Sequence, residues 1–379
     1  MKSVFFFCLL CTIIATANPV WALHEKSSET RIDDLLKRVE VLEAENHEET
    51  LLPDWFNRIT INGLIEAEAG YERYDPAMAG ETGRRSSHLV LSTFELGLDA
   101  ALCDHVDGHV LVLWEEDETE PVDLDEGYIS LAGSDAVPLY LHAGRQYLPF
   151  GNMETFFISD PLPLELGEIK ESALLAGYHR EAVNIFCGAF NGDVEKKGRD
   201  DRINSFLTGT DLALPIDDDR GIKMTLGISY LSNIADSDGL SGANDLDGDG
   251  NPDGIHDYVG GLSAYLYLEI MHFLYCNAEC VCAIDRFNPG ELSLADTDRR
   301  FRPRAWNFEI ALITPGDIGI GLKYEGTDDC DYFLPESRYG GIIFWSPFEK
   351  TNLGLEYLHQ EFKNSDISDS ITAQLAVEF

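Results

Sequence analysis

From Arg58 onward the chain alternates apolar and polar residues with a period of two, and this limits the fold more than any other feature. Between Arg58 and Glu72 one face carries Ile59, Ile61, Gly63, Ile65, Ala67, Ala69 and Tyr71. The other carries Thr60, Asn62, Glu66, Glu68 and Glu72. Side chains of a strand point alternately to its two faces, so the segment is a strand with one apolar face and one carboxylate-bearing face. A strand between lipid and a watered lumen has this pattern. So does a soluble sandwich that points its glutamates to solvent, and this segment alone does not choose between them.

The spacing of such segments chooses better. They recur about sixteen times, at roughly 57–72, 86–103, 105–116, 123–133, 137–148, 172–180, 182–190, 203–214, 221–233, 257–270, 271–285, 302–314, 317–326, 338–346, 351–362 and 369–379. Short connections, such as Cys103-Asp104, Arg180-Glu181 and Pro315-Gly316, alternate with long ones, such as Pro149 to Glu171 and Ser232 to His256. Short turns on one side, long loops on the other and an even strand number predict an all-β transmembrane antiparallel barrel. The fourth, sixth and eighth runs are weak, so fourteen or eighteen strands stay open. The last run sets Ile371, Ala373, Leu375, Val377 and Phe379 on one face. A terminal Phe on such a strand resembles the signal read by the barrel-assembly machinery, which points to the outer membrane of a Gram-negative bacterium. An ordinary edge strand ending in Phe is the other reading.

Residues 1–22 read as a signal peptide: Lys2, the apolar run Val4 to Ile14, and Val20-Trp21-Ala22 ahead of cleavage at Leu23. Residues 23–54 read as a periplasmic coiled-coil helix and linker, leaving 55–379 for the barrel. Ile32, Leu35, Val39 and Leu42 recur at spacings of three and four, with Asn46 in register. A polar residue in such a seam sets oligomer state, and a homotrimer is the expectation. A lone amphipathic helix packed on the barrel fits the same spacing. With 27 basic and 68 acidic residues the formal charge is −41, which repels nucleic acid and attracts cations. Once Cys8 and Cys11 leave with the signal, the cysteines are Cys103, Cys187, Cys276, Cys280, Cys282 and Cys330. A hairpin disulfide between Cys276 and Cys280, with the rest as buried thiols, is the simplest expectation in an oxidising compartment. A metal site on these thiols lacks a fourth ligand.

Three segments are candidates for function. The connection after the fifth strand holds D-P-L-P-L-E-L-G-E-I-K-E, too apolar for a freely solvated loop. Folded inward, it sets Leu162, Leu164 and Leu166 against the wall and turns Glu165, Glu168 and Lys170 toward a constriction; a loop covering the barrel top is the alternative. The fifth long loop places Asp245, Asp247 and Asp249 at alternate positions, then Gly250 and Asp253. Hard carboxylate oxygens around a glycine turn suit Ca2+, although His256 stands where a bidentate Glu would be expected. A solvated acidic loop is the bland reading. Arg299, Arg300, Arg302 and Arg304 form the one dense basic cluster. Guanidinium forks suit carboxylate-bearing ligands. Lipopolysaccharide phosphates, outer-membrane lipid or neighbouring carboxylates would satisfy them equally. Trp306 shares the parity of Arg302 and Arg304, which implies a Trp in the lumen or a bulge. Arg58, His109, His142, Arg145 and Lys223 read as a lumen wall network. No G-x-S-x-G, H-E-x-x-H or phosphate loop occurs, so no enzyme is expected.

Three further stretches carry a resemblance: W-F-N-R-I-T-I-N-G-L-I-E-A-E-A-G-Y at Trp55 to Tyr71, A-G-R-Q-Y-L-P-F-G at Ala143 to Gly151, and S-D-P-L-P-L-E-L-G-E at Ser159 to Glu168. With the signal peptide and short coiled coil, they make the chain similar to the LbtU family of siderophore porins. That resemblance implies a barrel without a plug domain that imports a ferric siderophore of the carboxylate type by diffusion. An anionic chelate conflicts with so acidic a chain, unless calcium neutralises the acids or the cargo is neutral or cationic. A general cation-preferring diffusion porin is the first alternative. A surface adhesin or structural barrel with a closed lumen is the second.

Overall fold

The computed structural model describes residues 56–379 apart from the short stretches 79–81, 117–121, 135, 200–201, 218–219, 295–298 and 332. The signal peptide and coiled coil expected at 1–22 and 23–54 lie outside the described residues. Sixteen antiparallel strands close a single barrel, each paired with its sequence neighbour and the first with the last. They are β1 (Ile59–Asp75), β2 (Arg84–Cys103), β3 (Val106–Trp114), β4 (Asp123–Ser134), β5 (Val137–Tyr147), β6 (Lys170–Arg180), β7 (Val183–Phe190) and β8 (Ser205–Asp217). The second half holds β9 (Ile222–Leu231), β10 (Gly261–Ile270), β11 (Leu274–Ala283), β12 (Arg304–Ile313), β13 (Ile318–Asp328), β14 (Ser337–Phe348), β15 (Thr351–Glu361) and β16 (Ile367–Glu378). The weak fourth, sixth and eighth runs are full strands, which settles the number at sixteen. Two short helices, α1 (Leu162–Gly167) and α2 (Asp238–Asn244), lie in the third and fifth long loops.

The period-two pattern now has a direction. Ile61, Leu98, Ile129, Ile185, Ile228, Phe308, Ile320, Ile343 and Leu355 are exposed on the outer face. Together they form an apolar belt around the whole barrel, far beyond the few hundred Å² of a normal exposed patch. Their neighbours in register, among them Glu68, Asp99, Tyr128, Glu279, Glu309 and Lys323, face the lumen. Closing the sheet removes the free strand edges that would otherwise pair with another chain. At the seam the Phe379 amide donates to the Gly63 carbonyl at 3.0 Å, and the Gly63 amide returns a bond to Phe379 at 3.2 Å. Glycine is needed there, because a Cβ on Gly63 would lie 2.2 Å from the Phe379 ring and 2.8 Å from the Glu95 carbonyl.

Three expectations are corrected. Cys276 and Cys280 lie on one face of one strand, where four residues span ~13 Å, well beyond disulfide reach. All six cysteines of the described residues are free thiols, and Cys103 and Cys187 are exposed rather than buried. Arg145 belongs to the outward row of β5, not to the lumen. The Trp306 puzzle disappears because Ala305, Asn307 and Glu309 are the buried, inward row of β12, so Arg304, Trp306 and Phe308 face outward together.

The long loops do not wave freely. Leu148, Phe150, Leu162, Leu166 and Ile169 of the third loop share one apolar core with Val194, Ile234, Leu240, Ile255, Phe287, Phe301 and Leu334 from the loops after it. Each fully buried side chain of this size contributes roughly 1.5–3 kcal/mol, enough together to fix the loops as one body over the barrel mouth.

Candidate functional site

The third loop leaves β5 and crosses the barrel to the opposite wall. Three inward glutamates there receive it in sequence. Glu279 of β11 accepts the Asn152 and Met153 amides at 2.9 and 2.8 Å. Glu309 of β12 accepts the Thr155 hydroxyl and the Phe156 amide at 2.6 and 2.9 Å. Glu356 of β15 accepts the Ile158 and Ser159 amides at 2.8 and 3.2 Å. A loop backbone inside a barrel has amides with no ladder to join, and each carboxylate satisfies two donors with charge-assisted bonds.

Cations hold the carbonyl side of the same segment. Lys323 donates to the Ser159 carbonyl at 3.2 Å, and the Arg338 guanidinium donates to the Asp160 carbonyl. Lys323 has no exposed side chain and sits 3.8 Å from Glu309 and 3.3 Å from Glu325. Arg338 pairs with the other oxygen of Glu325. These two lumen cations are therefore neutralised and covered by the loop.

The opposite side of the opening has the other sign. Asp160 is exposed at the tip of the crossing segment. Its charge is in range of Lys323 and Arg338 behind it and, more weakly, of Glu115, Glu68 and Glu66 at the end of β3 and on β1. Glu95 adds to this wall, in range of Glu66 and Glu115. Carboxylates of the loop tip and of this wall thus lie within range of one another.

The residues singled out in the sequence are placed as follows. Leu162 and Leu166 are buried in the loop core, while Leu164 and Glu165 are half-buried. Glu168 caps α1, and its carbonyl accepts the Asp238 amide at 2.9 Å. Burial, reinforced by the charges of Asp238 and Asp160, pushes its carboxyl up to about 7. Lys170 is bound to Asp125 of β4 at 2.6 Å. Arg299 bridges Asp329 and Asp331, each at 2.6 Å, and Arg304 pairs with Asp328 at 2.9 Å. Burial alone would lift Asp329, but the Arg299 side chain and Arg302 amide outweigh it and hold its carboxyl below 3.8. Arg300 and Arg302 are exposed. Carboxylates of the seventh loop thus occupy much of the basic cluster. Asp245, Asp247 and Asp249 present oxygens within 4.8 Å of one another, a hard donor set of the kind Ca2+ takes. Asp253 turns aside and accepts the Leu246 amide at 2.9 Å.

Sequence reasoning missed Glu279, Glu309, Glu356, Lys323, Arg338 and Asp160. Strand parity puts the three wall glutamates in the lumen, but nothing local signals that they hold a loop more than a hundred residues away.

No protein-family model matches the chain. It is 25% identical over 313 residues to a UPF0422 protein of Coxiella burnetii, covering 80% of this chain and 64% of that protein. It is 26% identical over 323 residues to a UPF0422 protein of Legionella pneumophila, covering 79% and 58%. The chain thus spans about three fifths of the length of these relatives. Among solved structures the barrel is similar to the outer membrane channel DcaP of Acinetobacter baumannii, with TM-score 0.57, 13% identity, and 85% and 97% of the two chains covered. It is also similar to OprB of Pseudomonas putida, with TM-score 0.56, 12% identity and 86% and 95% coverage. An anion-selective porin from Comamonas acidovorans gives TM-score 0.56, 11% identity and 85% and 99% coverage. At such identities the likeness is one of fold, and the fold is that of porin barrels.

Proposed function

We propose that this protein is an outer-membrane diffusion channel that favours small cationic solutes. One observation carries the reading: the crossing loop buries the lumen cations Lys323 and Arg338 and leaves Asp160 exposed, in range of Glu66, Glu68 and Glu115. A ring of carboxylates in a narrow, low-dielectric opening concentrates cations and repels anions. The apolar outer belt and the porin-like fold support the membrane setting. The test is the reversal potential of the purified protein in a planar bilayer under a KCl gradient. Cation preference is expected, weakening toward neutrality in Asp160→Asn/Glu68→Gln. Anion preference, or a lumen that passes no current, refutes the reading, and the latter outcome favours a structural barrel.

A second reading, import of a ferric siderophore, rests on the motif resemblance. The S-D-P-L-P-L-E-L-G-E motif lies in the crossing loop itself. With the acidic lining, that cargo has to be neutral or cationic when it passes. Uptake of labelled ferric siderophore by cells with and without the protein decides it, and equal uptake refutes it.

A further inference from the structure

The lumen holds a second feature on the wall away from the loop anchors. His109 of β3, Tyr128 of β4, and His142 and Tyr140 of β5 form an unbroken row of rings. Successive centroids lie 4.9, 5.4 and 5.2 Å apart, and Tyr128 and His142 are stacked at 17°. The register places the row between the constriction and the short β4–β5 turn, because His142 pairs with Ser130 and Tyr140 with Ala132. Opposite Tyr128 stands Gly144, at φ 141°, so no side chain divides the row.

These rings have the partners of a site rather than of a core. Tyr128, Tyr140 and His142 line an open recess of about 420 Å³ together with Glu126 and Gln146. That volume falls in the range of small-molecule sites. Asp99 holds His109 at 2.6 Å, and Tyr140 donates to Asn184 at 3.1 Å, so both ends of the row are fixed. Gln146 is only 3% exposed, and among the described residues its Nε2 has no acceptor. A buried amide donor without a partner costs roughly 1–3 kcal/mol. A solute that supplies an acceptor at this point recovers that cost.

We infer that this recess is a binding subsite for a small organic cation that carries a flat ring and a hydrogen-bond acceptor. The Glu126 carboxylate and the phenol oxygens of Tyr128 and Tyr140 attract positive charge, the aligned ring edges offer a flat apolar wall to a flat group, and Gln146 Nε2 meets the acceptor. The inference rests on the cation-channel reading and narrows its solute class.

The probe is 1-methylnicotinamide, a flat pyridinium with an amide acceptor. Neutral nicotinamide is the control. Added to the full-length protein in a bilayer, 1-methylnicotinamide is expected to block the current transiently, while nicotinamide leaves it unchanged. Tyr128→Leu/Tyr140→Leu is expected to shorten the blocks about tenfold, as loss of both phenol oxygens and the ring wall from the recess implies, and to keep the wild-type reversal potential. Glu126→Gln gives a second measure if the double variant does not assemble. A cation-preferring channel that the probe does not block, or blocks that persist in these variants, overturns the subsite and leaves the channel reading intact. Loss of cation preference in the wild type fails the channel reading instead. Saturable binding of labelled probe to the detergent-solubilised protein then decides the subsite, and no saturation at millimolar probe overturns it.

Discussion

Replacing Glu279 and Glu356 by Gln together removes a carboxylate anchor near each end of the crossing loop while keeping the Lys323, Glu309 and Glu325 cluster whole. In the native chain these two carboxylates accept four backbone amides, from Asn152, Met153, Ile158 and Ser159. A hydrogen bond to a charged group is stronger than its neutral counterpart by roughly 1 kcal/mol. At Glu279 the two amides use different oxygens, so in a Gln one of them faces an NH2, whereas both amides at Glu356 use a single oxygen and lose only its charge. The double change therefore weakens seating of the loop by about 4 kcal/mol, on the order of a thousandfold in the ratio of seated to released loop. Glu309 still tethers the middle, and Lys323 and Arg338 still hold the Ser159 and Asp160 carbonyls, so the loop swings rather than leaves. Single-channel recording reads this directly. The variant is expected to show larger mean conductance and frequent current steps, with the heat-modifiable gel shift of a folded barrel unchanged. A folded double variant with wild-type conductance and noise refutes the claim that these carboxylates hold the constriction.

Lys323→Met leaves Glu309 and Glu325 buried without their shared cation, and a loss of roughly 3–5 kcal/mol is expected; the urea midpoint of the folded gel band measures it. Asp236 is fully buried among Ser205, Asn233 and the Val194 amide, and burial pushes its carboxyl up to about 7. A raised acid contributes stability that is complete below its unfolded value of 3.8 and lost as the pH rises through about 7. The fifth loop is therefore expected to resist protease better at pH 5.5 than at 8.5, and Asp236→Asn to remove that difference. Gly63→Val drives a side chain against the Phe379 ring and the Glu95 carbonyl. A cost of about 1–3 kcal/mol at the seam is expected, visible as a smaller heat-modifiable fraction.

The barrel was legible because a closed sheet writes itself into every strand: parity fixes the face, and loop length fixes the side. The weak fourth run, 123–133, obeys that rule from Glu126 to Ala132, while a bulge at Asp125 turns Leu124 to the outer face. The constriction was half legible. The apolar stretch from Leu162 to Leu166 announces burial, but what receives it is set by tertiary register. Glu279 looks like any lumen carboxylate until the third loop lies across it. The same limit applies to Arg299, whose partners Asp329 and Asp331 belong to another loop. The cysteines misled because spacing along a chain says nothing of reach once a strand is drawn out straight.

The loop anchors also set an order of assembly. Asn152 and its receiver Glu279 are 127 positions apart, Phe156 and Glu309 are 153 apart, and Ile158 and Glu356 are 198 apart. Contacts so distant in sequence form late, after the chain between them has been organised. The last receiver stands on the penultimate strand, so the loop cannot be fully seated before nearly the whole sheet is in place. Seating of the constriction therefore belongs to the last stage of folding, once the final strands have docked.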